Sequence, residues 1–232
     1  MDKVAVITGG GRGMGGAIAR ELAGRGYRLA LMSPSESCEV LARELGGVAH
    51  RGRAEEAAAI EGLVGLALET YGRIDAVVNH TGSPPKGDLL EIDDESWTLG
   101  SDMMVLSVVR MARLVTPVMQ RLGGGAFVNI TTFASFEPSL VYPVSCVYRA
   151  GVGAFTKLFA DRYAAENIRM NAILPGMIDS LNHKPETART IPMKRIGRVE
   201  EIAKTAAFLL SDDAGYITGQ NIRVDGGLAR HV

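Results

Sequence analysis

The chain is poor in cysteine, in aromatics and in net charge: two cysteines, one tryptophan and a formal charge of -1 in 232 residues. Cys38 and Cys146 lie far apart without metal-ligand spacing, which argues against a disulfide framework and fits a reducing, cytoplasmic compartment. Near-neutrality gives no long-range attraction for nucleic acid or anionic lipid. The one basic cluster, Arg51-Gly-Arg53, reads as a solvated loop. No segment approaches the ~18 uninterrupted apolar residues of a membrane span. Met1-Asp2-Lys3 runs into an apolar strand too short for a signal sequence. The four histidines, His50, His80, His183 and His231, show no ligand spacing, so no metal site is expected. A small-molecule substrate is expected, and neither a nucleic acid nor a membrane partner.

What is present is apolar material for a large core, 47% of residues against 22% charged. Short β-branched runs alternate with helical patterns along the whole chain. Strands are expected at Val4–Ile7, Arg28–Met32, Val48–His50, Ile74–Asn79, Ala126–Thr131, Arg169–Leu174 and Asn221–Val224. Helices are expected at Ala17–Leu22, Glu36–Leu45, Glu56–Tyr71, Glu95–Leu122, Ser145–Ala165 and Val199–Leu210. Such alternation implies βαβ units and one three-layer α/β/α domain, a Rossmann-type doubly wound parallel sheet spanning residues 1–232. Asp179 to Pro192 is the least regular stretch and the natural mobile lid.

Thr8-Gly9-Gly10-Gly11-Arg12-Gly13-Met14-Gly15 follows the first strand and opens the first helix. Glycines there let the backbone approach a pyrophosphate, and the free N–H groups of the helix N-terminus favour its charge. The spacing resembles the Thr-Gly-x-x-x-Gly-x-Gly of short-chain dehydrogenases/reductases. That resemblance continues through Asn79-His80-Thr81-Gly82, Asn129-Ile130-Thr131-Thr132, Asn171-Ala172-Ile173-Leu174-Pro175-Gly176 and Val224-Asp225-Gly226-Gly227. It implies that Asn79 and Gly82 border the adenosine ribose. It also implies that Pro175 and Gly176 lead to Ser180, at the place whose side chain bonds the nicotinamide carboxamide.

An acid at the end of the second strand would select NAD by accepting from the ribose 2′-hydroxyl. Ser33 holds that place, followed by Pro34, and Arg12 stands in the glycine loop within reach of a 2′-phosphate. The cofactor expected is NADP or NAD, with the lean to NADP. The family's Asp-Val for adenine falls on Arg53-Ala54.

In the family a tyrosine gives the carbonyl its proton, a lysine four residues on lowers the phenol's pKa, a serine polarises the carbonyl and an asparagine holds a water relay. Register through Ala150-Gly151-Val152 and Phe155-Thr156-Lys157 puts Arg149 at the lysine and Ser145 at the tyrosine. Thr132 falls at the serine and Met104 at the asparagine. Thr132 keeps a hydroxyl. Ser145 is far less acidic than a phenol, and Arg149 stays cationic, able to bond ribose or phosphate but unable to shuttle a proton. Tyr148, Tyr142 and His183 are substitute proton donors to be tested by geometry.

The resemblance therefore implies an NAD(P)-dependent oxidoreductase of a small alcohol or carbonyl with atypical acid–base groups. Two rivals stand beside it. One is a non-catalytic nucleotide-binding protein or partner subunit. The other is a halohydrin-dehalogenase-like lyase, since those enzymes share the fold and carry arginine at the lysine position. A homodimer or homotetramer built on the two long helices is implied as well. Met103, Met104, Val108, Met111 and Val115 form an apolar face that could be interface or core.

Overall fold

The computed structural model describes residues 2–231. Seven strands form one all-parallel sheet: β1 (Val4–Thr8), β2 (Arg28–Ser33), β3 (Val48–Arg51), β4 (Ala76–Asn79), β5 (Gly125–Ile130), β6 (Ile168–Pro175) and β7 (Asn221–Val224). Their spatial order is β3-β2-β1-β4-β5-β6-β7. The helices are α1 (Gly13–Gly24), α2 (Ser37–Glu44), α3 (Ala57–Tyr71), α4 (Asp94–Ser101), α5 (Ser107–Leu122), α6 (Pro143–Tyr163), a single turn α7 (Thr187–Thr190) and α8 (Val199–Leu210). Successive residues of a strand face opposite ways. Ala5 and Ile7 of β1 accordingly pack with Ile18, Leu22, Ile202 and Leu209 of α1 and α8, whereas Val6 packs with Ile60, Leu63, Met111 and Phe159 of α3, α5 and α6. Two cores, one on each face of the sheet, are the doubly wound three-layer arrangement expected.

Chain order reverses between β1 and β4, which opens a crevice beyond their C-terminal ends, the place where such sheets bind ligands. Thr8 fastens the two strand ends together. Its Oγ1 donates to the His80 carbonyl and accepts from the His80 N–H, each at 2.9 Å.

The long helix expected over Glu95–Leu122 is interrupted. A π-helical turn, Asp102–Leu106, joins α4 to α5. Within it the Ser107 hydroxyl donates to the Met103 carbonyl at 2.6 Å, and wider turns of this kind cluster at functional sites. Gly100 lets α4 press on α6, because a Cβ there would lie 2.3 Å from Val144. Met103, Met104, Val108, Met111 and Val115 are all buried within the chain, which makes that face core. Within Asp179–Pro192 the chain turns once into α7, so the expected lid is partly ordered.

Candidate functional site

Helix α1 starts four residues earlier than its apolar spacing suggests, inside the glycine run. Arg12 is its N-cap and offers no side-chain cap, so the first N–H groups face the crevice unpaired until Gly16 bonds the Arg12 carbonyl at 3.0 Å. The glycines divide the work. Gly9 and Gly13 hold φ of +61° and +54°, backbone that L side chains rarely adopt. A Cβ at Gly15 would sit 2.1 Å from the Gly9 carbonyl oxygen, so Gly15 serves packing. A Cβ at Gly13 would enter a gap whose opposite wall is Ser180, 3.4 Å away. The bare N–H groups and the helix N-terminus at this edge favour the charge of a pyrophosphate. Met14 lies in the first turn of α1 and packs on the core.

At the end of β2 the buried Ser33 hydroxyl donates to the Ser35 carbonyl at 2.9 Å and lies 3.3 Å from Ser37 Oγ. A Cβ on Gly11 would fall 2.8 Å from Ser33 Oγ, so these hydroxyls adjoin the glycine loop. Arg12 is exposed and forms no ion pair among the described residues. Arg53 pairs instead with Glu55 at 2.5 Å.

Asn79 is buried and bonded within the protein. Its Nδ2 donates to Asn129 Oδ1 at 2.8 Å, Asn129 Nδ2 donates to Thr156 Oγ1 at 2.9 Å, and Thr156 donates to the Val152 carbonyl at 2.8 Å. That relay ties β4, β5 and α6 together. Gly176 is fixed by packing, since a Cβ would meet Asp225 at 2.7 Å, and Pro175 closes β6 as a buried residue. His80 was not singled out by spacing, yet its Nδ1 is buried without a partner beside Gly9 and Gly15. Burial first, and the Arg149 charge second, lower its pKa from 6.5 to about 4, so the imidazole is neutral at pH 7.

Arg149 gives the largest departure from expectation. Its guanidinium bonds to backbone at the C-terminal ends of β4 and β5. One terminal nitrogen donates to the carbonyls of Ile130 at 2.7 Å and Thr131 at 3.0 Å, the other to Gly82 at 3.3 Å, and Nε to Ser145 Oγ at 3.2 Å. Four of five N–H groups thus bond inside the protein, where the resemblance implied a bond to ribose or phosphate. Among the described residues it has no carboxylate partner, and burial lowers its pKa to about 10. Beneath it lies a cavity of about 10 Å³ bounded by Asn79, Thr81, Met104, Asn129 and Thr131, room for one water. Met104 contributes only an apolar wall there.

Thr132 Oγ1 accepts from the Ala134 N–H at 3.3 Å, and Ser145 Oγ accepts from Arg149. Each hydroxyl has an oxygen lone pair engaged by an N–H, and no acceptor is assigned to either hydrogen among the described residues. Ser135 Oγ, between them in sequence, is buried without a partner. The substitute donors are engaged elsewhere. The Tyr148 ring meets Trp97 edge-on at 5.8 Å and flanks Gly100, which is packing of α4 on α6. Tyr142 is the N-cap of α6, with Lys86 over its ring at 4.7 Å. His183 Nε2 bonds the Ile178 carbonyl at 2.7 Å. No cluster able to hold a metal occurs among the described residues, and no helix there is long and apolar enough to cross a membrane.

Residues 9–229 match the family described as Enoyl-(Acyl carrier protein) reductase. The chain is 35% identical to a 7alpha-hydroxysteroid dehydrogenase of Clostridium sardiniense, covering 98% of this chain and 93% of that one. It is 32% identical to a 3-oxoacyl-[acyl-carrier-protein] reductase of Staphylococcus epidermidis, covering 98% and 99%. The L-sorbose reductase of Gluconobacter frateurii, solved with NADPH and L-sorbose, superposes with a TM-score of 0.93 at 28% identity, over 100% of this chain and 98% of that one. A 3-ketoacyl-(acyl-carrier-protein) reductase of Brucella melitensis, solved with NADH, gives 0.93 at 27% identity, over 98% of each. With the glycine loop, the strand order and the C-terminal motif in their places, the chain belongs to the short-chain dehydrogenase/reductase family.

Proposed function

We propose that the protein is a nicotinamide-dependent reductase of a carbonyl compound in which two oriented hydroxyls, Thr132 and Ser145, replace the usual proton-donating phenol. The observation that carries this reading is the Arg149 Nε–H bond to Ser145 Oγ, which leaves the serine hydrogen free to point at a substrate oxygen. A bound reduced nicotinamide supplies a hydride to the carbonyl carbon. The α1 N-terminus would hold its pyrophosphate, and Ser180 would bond its carboxamide. Thr132 and Ser145 then share the negative charge developing on oxygen, as hydrogen-bond donors rather than acids. The oxygen takes its proton from solvent, so the sum is carbonyl plus hydride plus proton giving alcohol. Arg149 adds a positive field and holds the ends of β4 and β5 at fixed separation.

NADP(H) is the preferred form in this reading, because no acid stands at the end of β2 and Arg12 of the glycine loop is exposed. The cytoplasm is its setting. Homo-oligomerisation uses the α5 and α6 faces, where Leu122 of α5 and Val147 and Leu158 of α6 are exposed. Titration with NADP(H) and NAD(H), followed by Trp97 fluorescence, tests the cofactor. NADP(H) should bind at least as tightly, and Arg12→Ala should weaken it about ten-fold or more relative to NAD(H), as loss of a charge-assisted contact does. A clear NAD(H) preference in the wild type would reject it.

A further inference from the structure

Three loops leave adjacent strands at the same edge of the sheet. Neighbouring strands lie ~4.8 Å apart, so the loops after β4, β5 and β6 emerge side by side around Thr132 and Ser145. Each exposes large apolar side chains. The β4 loop presents Leu90 at 92% exposure, the β5 loop Phe136, Leu140 at 79% and Val141 at 58%, and the β6 segment Leu181 at 66% and Met193. Single exposed apolar residues are ordinary, but six on the three loops that leave adjacent strands exceed that ordinary scatter.

The loops are also joined. Lys86 of the β4 loop lies over Tyr142 of the β5 loop. The Glu137 carboxylate, next to Phe136, accepts from the backbone N–H groups of Arg230 and His231, and the Phe136 ring packs on His231 at 5.0 Å. The segment between the two hydroxyls is therefore held by the chain beyond β7. A polyhydroxylated substrate would place its hydroxyls against these apolar side chains without partners, a costly arrangement. An apolar body would cover them instead.

We infer that the substrate is a carbonyl compound carrying an extended apolar body, and that Leu140 and Val141 form the wall that selects it. This rests on the reductase reading given above. The probes are methyl ketones from 2-butanone to 2-decanone with NADPH, and L-sorbose as the polar counterpart. In parallel, calorimetry follows the matching secondary alcohols binding to protein loaded with NADP⁺. Each added methylene should raise kcat/KM and alcohol affinity by about two- to four-fold until the wall is covered. Leu140→Ser with Val141→Ser, both at exposed positions, should flatten both series while leaving NADP⁺ affinity within two-fold. If no ketone is turned over but alcohol affinity still climbs with length and the double variant flattens it, the reductase reading fails and the apolar site stands. A flat series, a preference for L-sorbose, or a slope untouched by the double variant overturns the inference. A change in sedimenting mass on making the variant overturns it as well, because a second copy of the chain would then be what covers the patch.

Discussion

Arg149 Nε lies 3.2 Å from Ser145 Oγ, one turn away along α6, and the donor in that pair is the arginine. The direction of this bond matters more than its length. A serine that accepts from a guanidinium keeps its own hydrogen available, yet gains no base to take it. The pair can polarise an oxygen, but it cannot run the reversible proton transfer that a phenol and a lysine would provide.

Turnover of simple carbonyls should consequently be slow in the wild type, and Ser145→Ala should lower it further. Ser145→Tyr with Arg149→Lys should raise it ten-fold or more, the lower part of the ~10²–10⁴ that positioned acid catalysis contributes. The same variant should lose stability, since a single ammonium nitrogen cannot span the Gly82, Ile130 and Thr131 carbonyls that the two ends of the guanidinium fork reach. Tyr148→Phe should change turnover by less than two-fold, given its packing on Trp97. Steady-state NADPH oxidation checks each variant, and a fast wild type abolished by Tyr148→Phe would reverse the assignment.

Two glycines with positive φ separate cofactor contact from backbone strain. Gly13→Val and Gly26→Val both force a side chain into the left-handed region, at φ of +54° and +85°. The strain costs about 1–2 kcal/mol, or a melting temperature lower by roughly 2–8 °C. Only Gly13 faces the crevice, whereas a Cβ at Gly26 meets nothing within 4 Å. Dinucleotide binding should vanish in Gly13→Val and persist in Gly26→Val, with far-UV circular dichroism unchanged in both. Equal binding by the two variants would remove the pyrophosphate from the α1 N-terminus.

His80 makes the fold sensitive to mild acid. Its folded pKa of about 4 lies below the unfolded value near 6.5, chiefly through burial and then through repulsion by Arg149. The unfolded state binds the proton first as pH falls, so this contribution is complete above pH 6.5 and is lost progressively towards pH 4. The full loss amounts to about 3 kcal/mol. Urea unfolding at pH 7 and pH 5 should show a stability drop in the wild type that His80→Asn largely removes. Parallel curves for the two proteins would place the acid sensitivity elsewhere.

How much of this was legible beforehand depended on the range over which each feature is encoded. The alternation of β-branched runs with helical spacing, the glycine loop after β1 and the motifs at the ends of β4 and β6 are local patterns, and they determined the sheet, its layers and the crevice. The places of Thr132, Ser145 and Arg149 in the chain were likewise readable by counting. What no local pattern carries is where a long side chain turns. Arg149 turns inward to bond backbone carbonyls 18, 19 and 67 residues away. The Tyr148 ring packs on Trp97, the methionine face is buried within the chain, and Glu137 reaches a segment 94 residues distant. Sequence spacing determined which groups stand at the crevice; only tertiary packing decided which of them face it, because burial demands that every donor and acceptor find a partner, and those partners come from remote parts of the chain.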